Sequence, residues 1–199
     1  MKKPQYISAI ISFILFMSIA HFVFYKMNIP FDPYLLEVMG NWEMIKMFSV
    51  LGTELVIGFS SIALILFLWW KKKDYVGVLT VVVAVAGSNV LNKVIKGLME
   101  RERPTFAHGE EGYSFPSGHA MVGIVFLFII AYYISKEFTS IKIKVTLYIC
   151  GFLLAFVTGI SRIAENAHYP SDVAAGFFLG YSYFVLCITL YEKRPQEER

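Results

Sequence analysis

The sequence predicts an all-α fold, a six-transmembrane-helix bundle with N- and C-termini cytoplasmic and its functional site at the outer membrane face. Three observations carry this expectation. Of 199 residues, 57% are hydrophobic and only 17% charged, too apolar a balance for a soluble domain of this size. The apolar residues gather in six runs, each near the ~20 residues a helix needs to cross a ~30 Å hydrocarbon core. The Lys and Arg residues concentrate in alternate connectors.

The first run covers residues 7–25. Lys2 and Lys3 before it and Ser18-Ile19-Ala20 within it loosely resemble a signal peptide. The run is long for a signal core, however, and reads as a retained span. Beyond it Pro30 and Pro33 interrupt the helix, and Leu35, Leu36, Met39, Trp42 and Ile45 then recur at near-helical spacing. That pattern predicts an amphipathic helix over about 34–46 in the outer interface, with Trp42 at headgroup depth. Such a helix either borders the route of a lipid or serves as a connector.

The second run, 47–70, holds Glu54, roughly 10 Å below the outer edge if the rise is counted from Met47. An intramembrane carboxylate there is either functional or a hydrogen-bonded structural group. The remaining runs are 75–94, 119–135, 145–159 and 173–191. In the last, Gly176 and Gly180 form a small-xxx-small pair beside Ala175, which suits close helix packing. The longest leftovers, 26–46 and 95–118, are too short for an independent core, so residues 1–199 read as one membrane domain. The sequence has no internal repeat, low-complexity tract or heptad pattern.

Orientation follows from the basic residues. With the N-terminus inside, the cytoplasmic segments hold Lys2, Lys3, Lys71, Lys72, Lys73, Lys136, Lys142, Lys144, Lys193, Arg194 and Arg199, which is 11 of the 18 Lys and Arg residues, as the positive-inside rule requires. Lys26, Lys46, Lys93, Lys96, Arg101, Arg103 and Arg162 fall at the other side. The net charge of +3 is accounted for by the cytoplasmic lysines and gives no reason to invoke nucleic acid. Cys150 and Cys187 lie in apolar runs without metal-ligand spacing and read as small buried hydrophobes.

Three segments on the outer side carry chemistry: Lys96 with Arg103-Pro104, then Pro116-Ser117-Gly118-His119, then Ser161-Arg162 with His168 and Asp172. Charges are costly in hydrocarbon, and so many at one level ask for an anionic ligand. Ser117 is placed to cap the fourth span, whose N-terminus directs backbone N–H groups at an anion, and Gly118 permits close approach of the backbone. Lys96, Arg103 and Arg162 add cationic donors suited to a phosphoryl group. His168 and Asp172 have the spacing of a nucleophile and its orienting carboxylate, and His119 remains to act as acid and base.

These motifs resemble those of the type-2 phosphatidic acid phosphatase superfamily, and the six spans resemble its bacterial lipid phosphatases of the phosphatidylglycerophosphatase B and undecaprenyl-diphosphatase type. The resemblance implies His168 as nucleophile, Asp172 as its partner, His119 as acid and base, and Lys96, Arg103, Ser117, Gly118 and Arg162 as phosphate binders. It implies no metal or other cofactor. The residues agree, because Glu100, Glu102, Glu110 and Glu111 offer only a loose magnesium site, whereas three cations already neutralise phosphate.

The expected function is hydrolysis of a lipid phosphate monoester or pyrophosphate in the cell membrane, through a phosphohistidine. Phosphatidylglycerophosphate and undecaprenyl diphosphate stand first by family resemblance, with phosphatidic acid behind them. A sugar-phosphate phosphatase or phosphotransferase on the same scaffold is the alternative, and an anion-binding transporter a more distant one. The sequence does not set the oligomeric state.

Overall fold

The computed structural model describes residues 3–40, 42–104 and 111–194. Lys2, Glu110 and Arg199 lie outside the described residues. Among those described, all regular structure is helical: α1 (Lys3–Phe24), α2 (Phe31–Met39), α3 (Glu43–Lys46), a 3₁₀ segment (Met47–Gly52), α4 (Glu54–Leu66) continuing into a π turn (Phe67–Lys71), α5 (Tyr75–Met99), α6 (Gly118–Ser135), α7 (Ile141–Ala164) and α8 (Pro170–Glu192). Six of these elements are long and apolar enough to cross a membrane, and the chain is a multi-pass membrane protein.

The expected spans are all present, and their ends differ where polar residues continue a helix. α5 reaches Met99 and α7 reaches Ala164, so Lys96 and Arg162 ride on helix ends instead of in connectors. Hydropathy registers only the apolar part of a helix, while its backbone hydrogen bonds run on into the interface. The second span begins later than 47. Thr53 adopts extended backbone and its hydroxyl accepts the Val56 N–H at 3.4 Å, capping α4 there. Glu54 therefore occupies the first turn of α4 with its side chain 79% exposed, and the helical rise counted from Met47 does not apply to it. The single interfacial helix expected over 34–46 is two short helices, α2 and α3.

α6 is the central element. Val125 and Ile129 have no exposed surface, and Phe128 meets Tyr148, Tyr181 and Phe184 in edge-to-face contacts. Because lipid is as apolar as leucine, such helices associate through close packing and polar glue. Both occur here. A Cβ on Gly176 would lie 2.7 Å from the Ser117 carbonyl oxygen, and one on Gly180 2.6 Å from that of Met121, so α8 approaches the α6 backbone where only glycine fits. α1 runs antiparallel to α8, joined by Ser8 to Tyr181 at 2.7 Å, Ser12 to the Phe178 carbonyl at 3.0 Å and Ser182 to the Ala9 carbonyl at 2.9 Å.

The connectivity puts the C-terminal ends of α1, α5 and α7 and the N-terminal ends of α4, α6 and α8 at one end of the bundle. The opposite end carries the lysine-rich turns. There Asp74 receives Arg194 at 2.8 Å and the Tyr191 hydroxyl, and Lys136 sits over the Tyr191 ring at 4.8 Å.

Candidate active site

Each site residue sits where a helix starts or stops. α5 ends because Glu100 turns left-handed, with φ 45°, and the chain doubles back to carry Arg101 and Arg103 alongside the last turn that bears Lys96. α6 starts at Ser117, whose hydroxyl accepts the Ala120 N–H at 3.5 Å. Asn92 of α5 donates to the Pro116 carbonyl at 3.1 Å and fixes the approach to that start. Past α7, Asn166 is left-handed with φ 55°, and the N–H groups of Ala167 and His168 turn back to the Arg162 carbonyl. Pro170 then opens α8 with Asp172 in its first turn, and the Asp172 carbonyl accepts the Ser117 N–H at 3.0 Å. The starts of α6 and α8 are thereby tied together.

Lys96, Arg103, Gly118, His119, Arg162 and His168 line one cavity of about 560 Å³. Arg103 donates to the carbonyls of Ala167 at 2.7 Å, Gly112 at 3.0 Å and Glu111 at 3.1 Å, and its Nη1 stands 3.4 Å from His168 Nε2. Lys96 donates to the Tyr113 carbonyl at 2.8 Å, and Arg162 pairs with Glu165 at 2.5 Å. Ser117 and Asp172 are fully buried behind the wall; Ser117 shapes the helix end and does not line the cavity. Below the polar end the cavity continues between α4 and α5 along Ile57, Ser61, Val85, Val82 and Val81. From Asn92 to Val81 that is ~16 Å of helix.

His168 presents Nε2 to the Arg103 side and Nδ1 to Asp172 Oδ2 at 3.7 Å. Burial lowers its pKa to about 4, with Lys96 and Arg103 adding to the effect and Asp172 only partly opposing it, so the imidazole is neutral at physiological pH. A neutral, buried imidazole nitrogen facing a lysine, two arginines and a helix N-terminus can attack an electrophilic centre whose anionic oxygens those cations hold. Among the described residues no group of three His, Cys, Asp or Glu side chains could hold a metal ion.

The structure adds residues that the sequence reading did not single out. A Cβ on Gly52 would lie 2.4 Å from His119 Cδ2 and 2.7 Å from Thr158 Cγ2, so His119 takes its place only against a glycine. Asp172 Oδ1 accepts Arg101 at 2.5 Å, and Arg101 also donates to Asp32 at 2.7 Å. In the sequence alone Arg101 is only one more outer cation.

Fold and site together define a multi-pass membrane protein with a cation-lined pocket at one end of its helical bundle. The profile of the PAP2 superfamily matches residues 77–196, and the chain belongs to that family. It is 36% identical over 129 residues to phosphatidylglycerophosphatase B of Bacillus subtilis (strain 168), a match covering 63% of each protein. It is 26% identical over 199 residues to the bacitracin transport permease protein BcrC of Bacillus licheniformis, covering 87% of this chain and 91% of that one. In three dimensions it resembles the crystal structure of a transmembrane PAP2 type phosphatidylglycerolphosphate phosphatase from Bacillus subtilis. The TM-score is 0.82 at 26% identity, over 96% of this chain and 99% of the other.

Proposed function

We propose that the protein is a lipid phosphate phosphatase in which residues 1–199 act as one membrane domain. The reading rests above all on one observation: two histidines and three cations, brought from α5, α6, α7 and their connectors, share a cavity that opens into an apolar groove between α4 and α5. A polar end of this kind suits a phosphate, and the groove suits the chains attached to it. The phosphatase names of two relatives agree.

In this reading the Lys96, Arg103 and Arg162 side chains and the α6 N-terminus at Gly118 hold the equatorial oxygens of the phosphoryl group, with Ser117 shaping that helix end from behind the wall. His168 Nε2 forms a bond to phosphorus as the bond to the lipid oxygen breaks. His119 gives its proton to that departing oxygen, and Asp172 steadies the Nδ1 proton of the imidazolium. His119 then takes a proton from the water that cleaves the phosphohistidine. The lysine-rich end of the bundle faces the cytoplasm together with both termini, and the site faces outward.

The deciding measurement is phosphate release from phosphatidylglycerophosphate, undecaprenyl diphosphate, phosphatidic acid and glucose 6-phosphate by the purified chain in detergent. Release from the lipids and not from the sugar ester is expected; the reverse would overturn the lipid assignment. The similarity to a protein named as a transport permease favours a second reading, transport. Flux across vesicles without phosphate release would establish it in place of hydrolysis.

A further inference from the structure

Behind His168 lies a buried chain of charges that reaches the connector between the first two spans. Asp172 divides its two oxygens. Oδ2 accepts the Tyr169 N–H at 2.9 Å and faces His168 Nδ1, while Oδ1 accepts Arg101 Nη1 at 2.5 Å. Arg101 stacks on the Tyr169 ring at 4.1 Å and donates to Ser171 Oγ at 2.7 Å and to Asp32 Oδ2 at 2.7 Å. Asp32, 3% exposed, also accepts the Ser171 N–H at 2.9 Å and the Ser171 hydroxyl at 2.6 Å. One guanidinium thus lies between two carboxylates, and the trio leaves one net negative charge.

We propose that Asp32 is a positioning residue for the reaction: by sharing Arg101 it holds the first turn of α8 and leaves Asp172 one uncompensated negative charge to set against His168. The inference rests on the nucleophile role given to His168 above. When Nε2 bonds to phosphorus and the lipid oxygen leaves with the His119 proton, the ring becomes cationic with its proton on Nδ1. A lone Asp172–Arg101 pair would meet that cation as a neutral dipole. With Asp32 drawing on the guanidinium from the far side, the cation meets a net anion, and buried charges interact strongly. This gives the α2 segment a task beyond joining two spans.

The charged and titratable groups around Asp172 are Arg101 from the connector after α5, Asp32 from α2 on the far side of that arginine, and His168 and Tyr169 from the turn before α8, with Glu102 acting on Tyr169. Lys96 and Arg103 act on the neighbouring His168, and α6 meets Asp172 with the Ser117 N–H. Removing Arg101 would leave two carboxylates, Asp172 and the Asp32 held by Ser171, with no cation between them, and like charges so placed repel.

The test uses the full chain in detergent micelles with dioleoyl phosphatidic acid as probe, reading kcat, KM and the pH profile. Asp32→Asn is expected to lower kcat about tenfold with KM within about twofold, the scale of a one-unit change in interaction with a neighbouring charge. Arg101→Gln is expected to move the acid limb of kcat upward. The double variant should return the limb and recover part of the lost rate, because one net negative charge is restored. Wild-type kcat in Asp32→Asn, or a double variant slower than Arg101→Gln, overturns the proposal, since a mere brace loses more with each contact removed. If Arg101→Gln does not fold, kcat and KM of Asp32→Asn decide alone. His168→Ala separates the two readings: activity in that variant removes the nucleophile assignment, whereas its inactivity beside a normal Asp32→Asn removes only this inference.

Discussion

His168 Nδ1 stands 3.7 Å from Asp172 Oδ2, beyond hydrogen-bond reach, and makes no hydrogen bond among the described residues. The carboxylate oxygen it faces is held by the Tyr169 N–H, so the backbone start of α8 sets where Asp172 points. The interaction strengthens as the ring gains charge.

His168→Ala is expected to abolish phosphate release and to leave no acid-labile phosphate on the protein after a quench. His119→Ala should retain a trace of turnover, slowed by about 10²–10⁴-fold, the usual worth of a general acid. Quench-flow with a phosphorus-labelled lipid separates the two.

The imidazole of His168 should titrate near pH 4, well below the ordinary value of about 6.5. Because the folded-state value is lowered, the ring stays neutral as the pH falls through 6 and gains its proton only near 4. Nitrogen chemical shifts of histidine-labelled protein, assigned with the His168→Ala variant, check this; protonation near 6.5 would contradict it.

Gly52→Ala should lower kcat at least tenfold while the protein stays folded, because the new methyl occupies the space of the His119 ring and a misplaced general acid loses its effect. Gly123→Ala is the control, since a Cβ there meets nothing within 4 Å.

Gly176→Ala brings a methyl within 2.7 Å of the Ser117 carbonyl and 2.9 Å of Ala120 Cβ. Separating α8 from the start of α6 should cost about 1–3 kcal/mol of stability and lower the midpoint of thermal unfolding in detergent.

Activity should persist in EDTA and fall with vanadate, which takes the five-coordinate geometry of phosphorus under attack. The three cations at the cavity supply the charge that a metal supplies elsewhere. Loss of activity in EDTA with recovery on adding magnesium would refute this.

The sequence disclosed the fold and the cavity wall because ionisable residues are expensive in a membrane, so Lys96, Arg103, His119, Arg162 and His168 stand out against apolar surroundings. What stayed hidden depends on tertiary placement. Asp32 and Arg101 are 69 positions apart, and no local pattern relates them. The role of Gly52 appears only when His119 packs against it. The true start of α4 depends on Thr53, because Met47, Val50 and Leu51 are as apolar in a 3₁₀ segment as in a span.

The tie between the Ser117 N–H and the Asp172 carbonyl has a consequence for biogenesis. On the proposed roles, the histidine before α8 and the amides at the start of α6 come from segments made at different moments of translation, and they meet only when α8 docks against α6. A nascent chain whose α8 has not docked would hold all three site cations without the proposed centre, so the proposed hydrolysis would await that docking.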